Sequence, residues 1–359
     1  MPMDLDVITI GRSSVDLYGA QIGGRLEDMR SFHKYVGGSP TNMAIGMARL
    51  GLRAALITRV GDEHMGRFII ETLQGEGVNT DAIVTDKERL SALVILGIRD
   101  DTRFPLIFYR EDCADMALCE DDIDVKFITS ARALVVTGTH LSHPQTAQAV
   151  IKALKIANHA KIPCVLDIDY RPNLWGLSGH DDGESRYIAS EYVTQTLQKT
   201  LSYFSLIVGT EEEIQICGGN EDTCKSLHAM REFCDADLVC KLGAQGARLF
   251  TGPIPQSLDE GIAGEHFAVE VFNVLGAGDG FISGLLKGWL EGRDWAESLT
   301  LANACGALAV SRHGCAPAYP DDLIDAAGNV PGAAGYQRWQ VTDNSGRVAG
   351  EVGFLHDDL

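Results

Sequence analysis

The chain has 359 residues, 45% hydrophobic and 22% charged, the balance of a globular protein with a sizeable core. Thirty basic against fifty acidic residues leave a net charge of −20, which argues against nucleic acid and against an anionic membrane surface as partners. Nine scattered cysteines without a Cys-x-x-Cys pair, no basic leader and no apolar run of bilayer length predict reduced thiols in a cytoplasmic protein.

Leu5 to Ile10 is a short apolar run stopped by Gly11, the pattern of a buried strand, and Asp16 follows it. Ligands collect beyond the carboxyl ends of strands in open α/β sheets, so Asp16 is a candidate contact, although a lone loop aspartate also makes turns. Residues 17–36 read as two short strands around a Gly23-Gly24 turn. Gly37-Gly38 then leads into a helix ending near Leu50-Gly51, and paired glycines before a helix predict a close backbone approach. A strand over Ala54 to Val60 and a helix to about Gln74 come next. Two strands, 91–98 and 104–109, joined by Asp100-Asp101-Thr102, end in Tyr109-Arg110-Glu111 and form a small sheet with 17–36. From residue 131 strand and helix alternate. The strands are Ala133 to Thr137, Pro163 to Ile168, Leu206 to Val208, Leu238 to Leu242 and Ala247 to Phe250. The helices are Pro144 to Asn158, roughly 186–200, one capped by Thr210, one from about Gly278, and one over 295–311. Strands that are apolar throughout predict a parallel sheet covered on both faces.

The chemistry concentrates at Phe272-Asn273-Val274-Leu275-Gly276-Ala277-Gly278-Asp279. This is a glycine turn running into a helix whose first amides lack intrahelical partners and can face an anion. Asp279 in that first turn is either a base for a hydroxyl that attacks phosphorus or an ordinary helix-start acid. The helix dipole predicts a lowered pKa for it. Gly280, Gly284 and Gly288 share one stripe and predict close packing on a neighbouring helix. Three arginines near strand ends, Arg12, Arg110 and Arg171, are candidates for a ligand carboxylate, whose geometry the guanidinium fork matches. His140-x-x-His143 lacks the accompanying ligands of a metal site, and no P-loop or dinucleotide fingerprint is present.

Three motifs stand in order: Gly37-Gly38-x-x-x-Asn42-x-Ala44, Gly61-Asp62-x-x-x-Gly66 and Gly276-Ala277-Gly278-Asp279 with Phe281 and Gly284. Together they resemble the signatures of the ribokinase-like (PfkB) sugar kinases over residues 5–320. Tyr109-Arg110-Glu111 with Cys113-Ala114-Asp115, Asp167-Ile168-Asp169-Tyr170-Arg171-Pro172 with Leu174-Trp175, Val208 to Glu213, and His313 to Pro317 resemble its acid-sugar branch in inositol breakdown. The resemblance implies a three-layer α/β/α sandwich with a mostly parallel central sheet and a small β-sheet lid. The kinase domain would span 1–324, with lid strands within about 12–36 and 90–112, and 325–359 would be a peripheral tail. It implies ATP-dependent phosphorylation of a sugar acid, with Asp279 as base and the amides of Gly276, Ala277 and Gly278 as anion hole. Asp16, Gly38, Asn42, Tyr109, Arg110 and Arg171 would hold the sugar. Lys241, Gly243, Gly246 and Asn303 would line the nucleotide pocket, and Glu213 would organise Mg2+ through water. A homodimer through the lid is also implied. Two positions depart from the family pattern: Thr210 stands where many members carry Asn, and Asn273-Val274 where many carry Asp-Thr, which leaves a monovalent cation site open.

Overall fold

Chain order gives the strands β1 (Leu5–Ile10), β2 (Ser14–Gly19), β3 (Phe32–Gly37), β4 (Ala54–Gly61), β5 (Ile83–Asp86), β6 (Ala92–Leu96), β7 (Leu106–Tyr109), β8 (Ala131–Thr137), β9 (Cys164–Asp167), β10 (Leu206–Thr210), β11 (Asp237–Lys241), β12 (Ala247–Phe250) and β13 (Ile262–Ala263). The helices are α1 (Ser39–Arg49), α2 (His64–Gly75), α3 (Val125–Ile128), α4 (Pro144–His159), α5 (Glu191–Gln198), α6 (Glu211–Gly218), α7 (Thr223–Arg231), α8 (Ala277–Leu290) and α9 (Trp295–Val310). This computed structural model describes residues 3–100, 103–180, 185–269, 271–311, 315 and 319, and the backbone of β14 (Tyr336–Thr342) and β15 (Val348–Leu355), an antiparallel pair.

Side-chain alternation along the strands builds three layers. Ile8 and Ile10 of β1, Leu134 and Val136 of β8, and Leu238 and Cys240 of β11 pack with α4, α5, α6 and α7 on one face. Val7, Ala133, Val135 and Val239 point the other way, onto α1, α8 and α9. A strand with both faces covered is mostly apolar, and β1 is buried throughout, its two polar residues being satisfied: Asp6 accepts from Arg53, and Thr9 Oγ1 donates to the Pro40 carbonyl. Among the described residues nine strands form this sheet, in the order β13-β12-β11-β10-β9-β8-β1-β4-β5. Pairing is parallel from β11 to β5 and antiparallel at β12 and β13. A separate four-stranded sheet, β3-β2-β6-β7, stands off the carboxyl end of β1 as the lid.

The glycine stripe of α8 meets α9 as expected. A Cβ on Gly284 would lie 2.7 Å from the Leu301 carbonyl, and one on Gly288 2.8 Å from the Ser298 Cα. Several boundaries differ from the sequence reading. The turn at Gly23-Gly24 is present, with Gly24 N donating to the Gln21 carbonyl, but it does not join the strands directly: β2 and β3 pair from Ser14↔Gly37 only to Gly19↔Phe32, and the residues between make an excursion in which Gly23 N donates to the Ile98 carbonyl. The helix placed at 186–200 starts at Glu191, capped by Ser190. The strand β5 and the helix α7 were not expected. Of the stretch 313–317 only Cys315 is described, and Asp101, Thr102, 325–335, 343–347 and 356–359 lie outside the described residues.

Candidate active site

The parallel strands end on one cavity of ≈ 690 Å³, which the lid covers from the other side. Strand ends deliver Arg12 after β1, Asp167 and Asp169 at β9, Thr210 at β10 and Lys241 at β11; the lid supplies Asp16, Tyr18, Leu96 and Phe108. Backbone dipoles and loop freedom make this edge of a parallel sheet the usual ligand site.

Two helix starts meet inside the cavity. Gly276 takes a left-handed conformation, φ 83°, and opens α8. The Asp279 carboxylate points back to α1: Ser39 Oγ donates to its Oδ1 at 2.7 Å and Asn42 Nδ2 to its Oδ2 at 2.9 Å. The expected lowering of its pKa does not occur. Burial, with Asp169 nearby, raises it against the hydrogen bonds of Ser39 and Asn42, because the surrounding protein removes water that a dipole at a surface helix end would leave in place. Lys241 lies against this turn, its Nζ 3.3 Å from where a Cβ on Gly278 would stand. Its Nζ is also 3.4 Å from Asp167 and 3.7 Å from Glu213. Burial opposes the ammonium, but these two acids hold its pKa above the ordinary lysine value.

Glu213 forms a capping box with Thr210, whose N donates to Oε2 at 2.8 Å, while Tyr170 N donates to Oε1 at 3.2 Å. The carboxylate therefore ties the end of β9 to α6. Asp169 collects Arg12 at 2.8 Å and Arg171 at 3.7 Å; burial opposes its charge and the two guanidiniums outweigh it, so its pKa falls. On the lid, Asp16 is buried with Ser14 Oγ donating to it at 2.9 Å, and burial pushes its pKa up to about 6. Gly243, Gly246, His266 and Asn303 line the far end, where Asn303 Nδ2 donates to the Glu265 carbonyl at 2.7 Å.

The structure brings Asp16, Gly38, Asn42, Arg171, Glu213, Lys241, Gly243, Gly246, Asn303 and the Gly276–Asp279 turn into this single cavity. Tyr109 and Arg110 do not line it. Tyr109 faces outward and is 54% exposed, and Arg110 is closed in a buried pair with Asp115 at 2.6 Å. Strand alternation explains the difference: Phe108 of β7 turns inward, so its neighbour Tyr109 turns out. His140 is buried behind Gly11 while His143 is exposed, so the two share no ion. Asn273 is fully buried, with its Oδ1 accepting from Leu275 N.

A family model described as pfkB family carbohydrate kinase matches residues 4–322. The chain belongs to that family. Relatives named 5-dehydro-2-deoxygluconokinase are 32% identical in Bacillus velezensis, covering 92% of this chain and 97% of that one, and 34% identical in Shouchella clausii, covering 88% and 92%. Among solved structures, a fructokinase from Vibrio cholerae O395 in a fructose, ADP and calcium ion bound form is 26% identical, covers 90% and 97% of the two chains, and superposes with a TM-score of 0.74. On this kinase fold the sequence reading overlooked Ser39, Asp167, Asp169 and Arg186 as cavity residues. Ser39 directly follows the paired glycines, which is a usable signal. Its partner Asp279 is 240 residues away, which is not.

Proposed function

We propose that the protein is an ATP- and Mg2+-dependent kinase that converts 5-dehydro-2-deoxy-D-gluconate to its 6-phosphate. The observation that carries this reading is the Asp279 carboxylate, half-buried beside the amides that open α8 and facing the lid cavity. The sugar hydroxyl gives its proton to Asp279 as its oxygen bonds to the γ-phosphorus, and the bond from that phosphorus to the β-bridging oxygen breaks to leave ADP. Burial makes Asp279 a stronger base than its helix position alone would. The amides of Ala277 and Gly278, with the Lys241 ammonium alongside, meet charge on the moving phosphoryl group.

The donor set fits magnesium of the kind that keeps most of its waters. Asp167 and Glu213 offer hard carboxylate oxygens beside the phosphate path, too few for an all-protein cage. Magnesium, when bound, would neutralise phosphate charge there. The ADP and calcium ion held by the fructokinase support a nucleotide with a divalent ion on this scaffold. The relatives' name and the guanidiniums of Arg171 and Arg12 support an acidic sugar over a neutral one. Free thiols at all nine cysteines are in keeping with a cytoplasmic enzyme. Exposed Phe32 and Tyr109 on the outer lid strands support a homodimer through the lid, to be read from the mass in solution.

ADP release measured with 5-dehydro-2-deoxygluconate, 2-keto-3-deoxygluconate and fructose tests the reading. Turnover is expected to be fastest with the first, and activity on fructose alone would end the acid-sugar proposal. The pH profile adds a second test. Asp16 accepts sugar hydroxyls best when ionised, and its raised pKa of about 6 leaves it protonated below that value. KM for the sugar is therefore expected to fall as pH rises from 5 to 7, with a midpoint near 6. Asp16→Asn should abolish that dependence, and a profile identical in the variant would remove Asp16 from sugar binding.

A further inference from the structure

Arg12 uses only part of its hydrogen-bonding capacity. Its Nη2 donates to both oxygens of Asp169, at 3.1 and 2.8 Å, while its Nε is buried without an acceptor. The side chain is 11% exposed and lines the cavity. Asp169 is a fixed anchor: its backbone sits at φ 38°, and Thr139 Oγ1 donates to its Oδ2 and to its carbonyl, both at 2.8 Å. A positive φ at a non-glycine residue persists only where the surroundings enforce it. Arg171 Nη2 approaches the same carboxylate at 3.7 Å while its Nη1 stands 3.6 Å from Glu213, so Asp169 is divided between two guanidiniums and the Arg12 charge has no carboxylate to itself.

The other acids near Arg12 do not absorb that charge through contact. Asp16 is bonded by Ser14, and Asp279 by Ser39 and Asn42. Two guanidinium forks held around one carboxylate are a receptor for a second. We infer that Arg12, fixed by Asp169 beside Arg171, distinguishes an acidic sugar from a neutral one by receiving the sugar's carboxylate on its unused edge. This rests on the acid-sugar reading above and deepens it, because it assigns the role sought for Arg110 to a residue inside the cavity. The competing role for Arg12 is general charge balance against Asp279 and Asp16, which would serve every sugar alike.

The test measures calorimetric binding of the acid sugar and of its neutral C1 amide, each with ADP present, to the wild type, Arg12→Gln and Arg12→Lys. Arg12→Gln is expected to weaken the acid by on the order of 10- to 100-fold, the range of a hydrogen bond between charged groups, and the amide by less than about threefold. Arg12→Lys keeps a charge against Asp169 but lacks the fork, so roughly a tenfold loss confined to the acid is expected; it also keeps the test readable if Arg12→Gln does not fold. Equal losses for both ligands, or none, would overturn the assignment. A wild type that binds the amide as well as the acid would instead overturn the acid-sugar reading, and this assignment with it.

Discussion

Asp279→Asn is expected to lower kcat by about 10³-fold or more while leaving ADP affinity within about threefold of wild type, because general-base catalysis supplies 10²–10⁴ and the nucleotide end does not touch this carboxylate. The substitution keeps shape and polarity. Ser39 can still donate to the remaining carbonyl oxygen. Asn42, whose Oδ1 is buried without a partner, can turn that oxygen toward the new amide. Stability gives an internal control with a definite sign. The Asp279 pKa is raised in the folded state, so its contribution to stability is largest at low pH and falls as pH rises from the ordinary aspartate range through the raised value. A neutral amide escapes that penalty, so the variant should melt at or above the wild-type temperature at pH 7. A dead enzyme that is no less stable cannot be explained by unfolding. Normal turnover in Asp279→Asn would remove the residue from the role of base, and turnover and melting temperature falling together would make its role structural.

Much of this arrangement is written in local sequence. The strands are legible because a sheet buried on both faces is built mostly from apolar residues, and the α8 glycine stripe is legible because only glycine lets α9 approach. The Gly276–Asp279 turn announces itself through backbone chemistry. Side-chain partnerships are a different matter. The Ser39–Asp279 contact joins two helix starts that only the completed sheet brings together, and Asp169 acquires Arg12 from 157 residues away. Arg110 shows the opposite failure. Its type and place at a strand end suit a carboxylate ligand, yet Asp115, five residues on, closes it into a buried pair. Periodicity could have placed Phe108 on the inner face of β7, but it says nothing of which acid an arginine will meet. The pKa of Asp279 failed for a related reason: a helix-start argument assumes solvent, and whether the site is enclosed depends on the lid.

Gly38→Ala is expected to reduce kcat/KM by about 10²-fold, the usual consequence of misplacing catalytic groups by roughly an ångström, although Gly38 carries no side chain to take part in chemistry. Gly38 sits at φ 96°, and a Cβ there would lie 2.6 Å from the Arg12 carbonyl. That neighbour is backbone, so it cannot swing aside as a side-chain tip could. Gly37 is crowded in another way: its Cβ would fall 1.9 Å from Asp16 Oδ1, a side-chain tip that would have to leave its place in the cavity. The paired glycines thus serve a close approach of chain to chain: they let the start of α1 press against the segment carrying Arg12 and Asp16. Pushing that start away moves Ser39 and Asn42, the two donors that hold Asp279, and shifts Arg12 and Asp16 at once. Stability should fall by about 1–2 kcal/mol from the left-handed backbone alone, with the clash adding to it. Gly75→Ala is the matched control, being at a helix end with nothing within 4 Å of its would-be Cβ, and should leave both activity and melting temperature unchanged or slightly improved. The informative measurement is the split between ligands. Sugar affinity and kcat should both suffer in Gly38→Ala, whereas ADP, on the proposal that it sits toward Gly243 and Asn303, should bind normally to the folded variant. Loss of ADP binding in a protein that still folds would mean that the α1 start governs the whole cavity, not its sugar half.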